Sequence, residues 1–209
     1  VLPLPSQLSL PGATPLLCAG ITVYVPLRNA GVGPGMVVGI AGIGGLGHLA
    51  LKMARAMGAT VVALTRTPDK LPRLAALGAH HTILSSDDSQ MRQAQGTLDL
   101  ILDTIPHPHS YDLYLNLLKR GGIHWVLGTL EPVASFNGKL LTNMRRTIAS
   151  SNVGGISDTQ GMLNFCAQHG IEAEIELVRG EQIRECYDRV RTNQVRYRYV
   201  IDLRATFPE

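Results

Sequence analysis

The chain has 209 residues, 45% of them hydrophobic and 17% charged, enough for one full α/β domain and a smaller appendage. Its net charge of +3, from 19 basic and 16 acidic residues spread along the chain, is too mild for a nucleic-acid binder. Three cysteines, Cys18, Cys166 and Cys186, form no CxxC pair and no disulfide framework, which points to a reducing, cytoplasmic setting.

In chain order, residues 1–27 carry no Asp, Glu, Lys or Arg and contain five prolines. Without a basic start they fit neither a signal peptide nor a spanning helix, and they read as a Pro-rich connector. Residues 29–51 are also uncharged but are broken by many glycines, so no membrane span is expected. Residues 36–41 (MVVGIA) are a β-branched run introduced by the turn Gly33-Pro34-Gly35 and read as a strand. Residues 48–57 show helical spacing, with Leu49, Met53 and Ala56 on one face, and Gly58 ends that helix. A strand at 60–64 follows, then a helix at 69–77 closed by Gly78 and a short strand at 82–84. Next come a strand at 98–103, a helix at 110–118 ended by Gly121-Gly122, and strands at 123–127 and 147–151. Such alternation predicts an α/β Rossmann fold, a doubly wound parallel sheet. After Gly155 the texture changes: a helix at 158–168 capped by Asp158, a strand at 172–177, a charged helix at 181–192 and a strand at 196–203. This tail reads as a separate layer or part of another domain.

Between the first strand and its helix lies Gly42-Ile43-Gly44-Gly45-Leu46-Gly47. A GxGxxG run carries little information alone, but between a strand and a helix it is a dinucleotide-binding turn. Gly42 permits the tight turn, Gly44 lets backbone approach a pyrophosphate, and Gly47 lets helix pack on strand. Gly45 and Leu46 complete the loop, and the phosphates meet the positive end of the helix. The second strand then selects the cofactor. An NAD site places Asp or Glu at its end; here stand Thr65, Arg66, Thr67 and, after Pro68-Asp69, Lys70. Arg66 and Lys70 attract a 2′-phosphate that a carboxylate would repel, and Thr65 and Thr67 can hydrogen-bond it. NADP is therefore expected. Asp69, the competing acid, reads as the cap of the next helix.

PLLCAGITVY at 15–24, followed by GVGPGMVVGIAGIGGLGHLALKMARAMGA, RRTIASS at 145–151, GGISDTQGMLNFCAQHGIEAEIE from Gly154 and VRYRYVIDL from Val195, resembles the zinc-dependent medium-chain alcohol dehydrogenases, in their cinnamyl-alcohol-dehydrogenase-like branch. The resemblance spans nearly the whole chain. It implies NADP-dependent interconversion of small alcohols and aldehydes, aromatic ones among them, with zinc polarising the oxygen. It further implies that Cys18 is a catalytic zinc ligand and that Thr22 lies near the nicotinamide. Backbone at Leu127 and around Ser151 and Val153 would border the carboxamide end. The residues themselves leave Cys18 open as an ordinary buried cysteine.

A catalytic zinc needs three protein ligands. By the resemblance, the other two belong to an N-terminal catalytic domain that this chain, starting at Val1, is expected to lack. None of the seven histidines lies in a matching motif, and His48 reads as a helix-start residue. The implied organisation is a connector and remnant of the catalytic domain at 1–24, an NADP-binding domain at 25–155, and a segment at 156–209 returning to a truncated GroES-like catalytic domain. A homodimer through residues 140–148 is implied as well. Two other readings stay open: an NADP-binding module without catalysis, and a zinc-free quinone-reductase-like enzyme.

Overall fold

The computed structural model of the protein describes residues 1–128, 132, 133, 135–192 and 194–206. Six parallel strands form the main sheet: β1 (Val37–Ala41), β2 (Thr60–Thr65), β3 (His81–Leu84), β4 (Leu98–Asp103), β5 (Leu118–Val126) and β6 (Thr147–Ser150). Their order is β3-β2-β1-β4-β5-β6, the doubly wound α/β Rossmann arrangement expected from the alternation. Val38, Ile40, Leu100, Ile101 and Leu102 are fully buried, because helices cover both faces of a parallel sheet. The order reverses between β1 and β4, so their carboxyl ends flank a crevice.

The register places the strand ends level. Leu64 lies opposite Ala41, Ala41 opposite Asp103, Asp103 opposite Val126, and Val126 opposite Ser150. The residues one step beyond this row, Thr65, Gly42, Thr104, Leu127 and Ser151, form its rim. Amide bonds continue past the strands there, from Gly42 to the Leu64 carbonyl, Thr104 to Ala41 and Leu127 to Asp103, at 2.8–3.2 Å.

Several elements depart from the sequence reading. The uncharged start is folded: helix Leu10–Ala13 and a 3-10 turn Thr14–Leu17 lead into helix Ala19–Asn29. The boundary drawn at residue 24 falls inside this last helix. Ile21, Val23, Val25 and Leu27 are buried in one core with Leu49, Met53 and Leu100, so charge is missing here because the helix is enclosed by protein. Among the described residues no single helix is long and apolar enough to cross a membrane. The helix expected at 69–77 is a 3-10 turn, Pro68–Lys70, followed by the short helix Leu71–Leu74. Gly121-Gly122 sits inside β5, next to a register shift opposite Leu98 and Leu100, and the preceding helix covers only Tyr111–Leu115.

The tail is less separate than its texture suggests. Helix Ile156–His169 buries Met162, Leu163 and Cys166 in the same core as Ile21 and Leu27. Burial pushes the Cys166 thiol up to about 12, so it is a packing residue. Asp158 lies inside this helix rather than at its cap, and its carboxylate accepts from the Gly155 amide at 3.2 Å. Beyond it, β7 (Ile175–Val178) and β8 (Arg198–Ile201) form a parallel two-stranded sheet, connected through helix Ile183–Arg191.

Candidate dinucleotide site

β1 delivers the chain to Gly42, whose φ of 82° lies where glycine alone is unstrained. A Cβ there would also stand 3.1 Å from Thr104 Oγ1 and from Ile105. The Thr104 hydroxyl lies 2.6 Å from the Gly42 carbonyl and donates to it, pinning the turn to the end of β4. At Gly47 a Cβ would collide with the Gly42 carbonyl oxygen, whereas at Gly44 it would meet nothing within 4 Å. The loop is thus closed against protein at its two ends and open at Gly44. Helix Gly47–Ala56 starts there with no side chain capping it at Leu46, which leaves the helix end to attract an anion.

The C-terminal sheet closes one side of the loop. Arg198, on β8, donates from Nε to the Gly45 carbonyl at 3.3 Å, and a Cβ on Gly45 would strike its guanidinium. Burial pushes the Arg198 pKa down while nearby Cys18 pushes it up. Arg198 thus ties the glycine loop to the final strand. Arg198 was not singled out by the sequence reading. Its partner lies 153 residues away, and no local pattern marks such a contact.

At the end of β2, Thr65 is buried and its hydroxyl oxygen accepts from the Thr67 amide at 3.2 Å. Arg66 and Thr67 are exposed. The Lys70 side chain lies outside the described part of the structure. Asp69 stands exposed within the turn Pro68–Lys70, one place past Pro68, and does not occupy the cap. Burial pushes the Tyr114 phenol up and the Asp103 charge adds to this, while a bond with Ser85 and the Arg66 charge oppose it.

Leu127 follows β5, and Ser151 and Val153 follow β6. The Ser151 hydroxyl accepts from Trp125 Nε1 at 3.1 Å, and Val153 is exposed. A Cβ on Gly154 would stand 2.7 Å from Val25 and 2.8 Å from Ile21, so this segment lies directly against helix Ala19–Asn29. Thr22 is on that helix, with its hydroxyl donating back to the Cys18 carbonyl at 2.8 Å.

Beneath the rim lies a buried polar cluster. Asp103 is fully buried; its Oδ2 is 2.7 Å from His109 Nε2 and 3.0 Å from His124 Nε2. Its Oδ1 accepts from the Ile105 amide at 3.0 Å. His109 Nδ1 lies 2.8 Å from the His107 carbonyl. Both His109 nitrogens face acceptors, so both donate and the ring is an imidazolium. His124 Nδ1 finds no hydrogen-bond partner among the described residues.

These residues fit a dinucleotide: an open Gly44 face, an uncapped helix start and an adjacent guanidinium. They do not by themselves fit a catalytic zinc. Cys18 is exposed, and among the described residues no three His, Cys, Asp or Glu side chains gather as a metal site would require.

A family model described as zinc-binding dehydrogenase matches residues 45–168. The aldehyde reductase YahK of Escherichia coli is 46% identical over 202 residues, covering 95% of this chain and 57% of the relative. The cinnamyl alcohol dehydrogenase SbCAD4 of Sorghum bicolor superposes with a TM-score of 0.95 at 39% identity, covering 100% of this chain and 60% of that one. A Helicobacter pylori cinnamyl alcohol dehydrogenase complexed with NADP(H) gives 0.86 at 35% identity, over 95% of this chain and 57% of that one. The chain thus spans under two thirds of the length of the relatives it matches. It belongs to the zinc-binding dehydrogenase family.

Proposed function

We propose that the chain holds NADP(H) along the rim of the sheet, as the cofactor-binding part of an oxidoreductase that interconverts small alcohols, aromatic ones among them, with their aldehydes. The observation that carries this reading is the level row of strand ends, which brings Gly42, Thr65, Leu127 and Ser151 onto one rim although they are far apart in sequence. The pyrophosphate lies on the loop Gly42–Gly47, with Arg198 offering a cation beside Gly45. Thr65, Arg66, Thr67 and Lys70 receive the adenosine 2′-phosphate, and Leu127, Ser151, Val153 and Thr22 border the nicotinamide. When bound, the nicotinamide supplies the hydride that is exchanged with the substrate carbon. This chain's residues bind and orient it and keep water from its inner face. Cys18 would serve as one zinc ligand; the other two that the metal needs are not gathered beside it among the described residues.

Two further assignments follow the same reading. Ile183, Tyr187 and Val190, one face of helix Ile183–Arg191, are exposed, as suits a segment at 156–209 that returns to a GroES-like catalytic domain. β6 is an edge strand, and residues 140–148, which run into it, form a homodimer contact.

Arg66→Glu tests the cofactor assignment. Titration is expected to show NADPH affinity falling about tenfold or more, from like-charge repulsion, with NADH within about threefold of the parent. Equal losses for both cofactors, or tighter NADH than NADPH binding by the parent, would contradict it.

A further inference from the structure

His48 opens the helix after the glycine loop, and its ring is fully buried. Its Nε2 lies 3.2 Å from the Glu174 backbone nitrogen. An amide can only donate, so Nε2 is the acceptor and the ring proton resides on Nδ1. That proton points at the Gly44 carbonyl, 3.0 Å away. The same carbonyl also accepts from the His48 amide at 3.1 Å. The ring stacks on Tyr197 at 4.8 Å with 16° between planes. Glu174 is itself held: Lys52 Nζ lies 2.9 Å from the Glu172 carbonyl and pairs with the Glu174 carboxylate, while Glu172 is bonded to Ser9.

Gly44 combines an open outer face with the greatest backbone freedom of any residue type. Left unsupported, it would have to be ordered as each ligand bound. We propose that His48 is a positioning residue for the pyrophosphate loop: its Nδ1–H fixes the Gly44 carbonyl against the Glu174 amide, so that the loop is ordered before the cofactor arrives. The idea rests on the dinucleotide reading above. Arg198, on β8, grips the next residue, Gly45, so two consecutive loop carbonyls each accept from a side chain. Burial pushes His48 down to about 4; Lys52 and Arg198 add to this, and the Gly44 carbonyl and Glu174 oppose it. The ring therefore stays neutral at neutral pH and keeps Nε2 free to accept.

Two substitutions separate the two ring contacts. His48→Asn retains a donor where Nδ1 stands, and His48→Gln retains an acceptor where Nε2 stands but offers Gly44 nothing. NADPH is titrated against the 209-residue chain and both variants, alongside 2′-AMP, which carries the 2′-phosphate but no pyrophosphate. H48N is expected to bind NADPH within about threefold of the parent and H48Q about tenfold more weakly, with 2′-AMP unchanged in both. The inference is overturned if H48Q binds NADPH like the parent, if both variants weaken alike, or if 2′-AMP binding falls in step with NADPH. Should H48Q fail to fold, H48N decides: near-parental affinity supports the assignment and a tenfold loss overturns it. A parent chain that binds no NADPH would instead overturn the dinucleotide reading itself.

Discussion

Replacing Gly44 by leucine is expected to lower NADPH affinity about 100-fold, roughly 3 kcal/mol, while leaving the thermal midpoint unchanged. The two effects separate because a Cβ at Gly44 meets no protein atom within 4 Å and its φ lies outside the left-handed region. The unliganded fold therefore has no reason to object, and the side chain stands where the phosphates would lie. Gly47→Ala should behave in the opposite way. Its methyl collides with the Gly42 carbonyl, which is backbone and cannot swing aside, so unfolding free energy should drop by about 2 kcal/mol or more. Denaturation curves and NADPH titrations on both variants check the pair. Full NADPH affinity in G44L would remove the loop from the site, and an unperturbed G47A would mean that the turn is looser than its geometry implies.

Asp103→Ala is expected to destabilise the chain by about 3–5 kcal/mol, the penalty of breaking a buried ion pair. It leaves His109, His124 and the Ile105 amide without their acceptor. The milder Asp103→Asn isolates the charge through pH. Burial pushes the Asp103 carboxyl up, but the bonds from His109 and His124 more than reverse this and leave it below the ordinary 3.8. Burial pushes His109 down, yet Asp103 and the His107 carbonyl leave it above the ordinary 6.5. A lowered carboxyl stabilises fully above pH 3.8 and loses that contribution as pH falls through its folded value. A raised imidazole stabilises fully below pH 6.5 and loses its contribution as pH rises through its folded value. The stability gap between the parent and D103N should therefore be widest between about pH 4 and 6.5 and narrow on both sides. A gap that does not vary with pH, or a D103A loss under about 1 kcal/mol, would contradict the ion pair.

The sheet was legible because central parallel strands are written as unbroken apolar runs, such as MVVGIA, and the glycine turn was legible because its physics is local. Helix Ala19–Asn29 was not. It carries Pro26 inside it and is buried nearly all round, so it shows neither the composition nor the one-sided pattern that marks a surface helix. Helix Asp88–Gln93 was missed although its signal is present: the Asp87 carboxylate accepts from the Ser89 and Gln90 amides, and the Gln90 side chain returns to Asp87. The extent of β5 was misread because Gly121-Gly122 usually ends an element, while here the pair sits within the strand at a register shift. Thr65 is singled out by its place at a strand end, and Leu127 and Ser151 by resemblance; all three lie on the rim of the sheet. His48 and Arg198 acquire their contacts from residues 126 and 153 positions away, and only folding brings those partners together.

Backbone amide shifts during a titration with NADPH test the account most directly. The largest changes should fall on Gly44 to Gly47, with a second set at Thr65 to Thr67 and a third at Leu127 and Ser151. Shifts confined to other faces of the sheet, or a silent glycine loop in a chain that binds NADPH, would show that the cofactor is not held there.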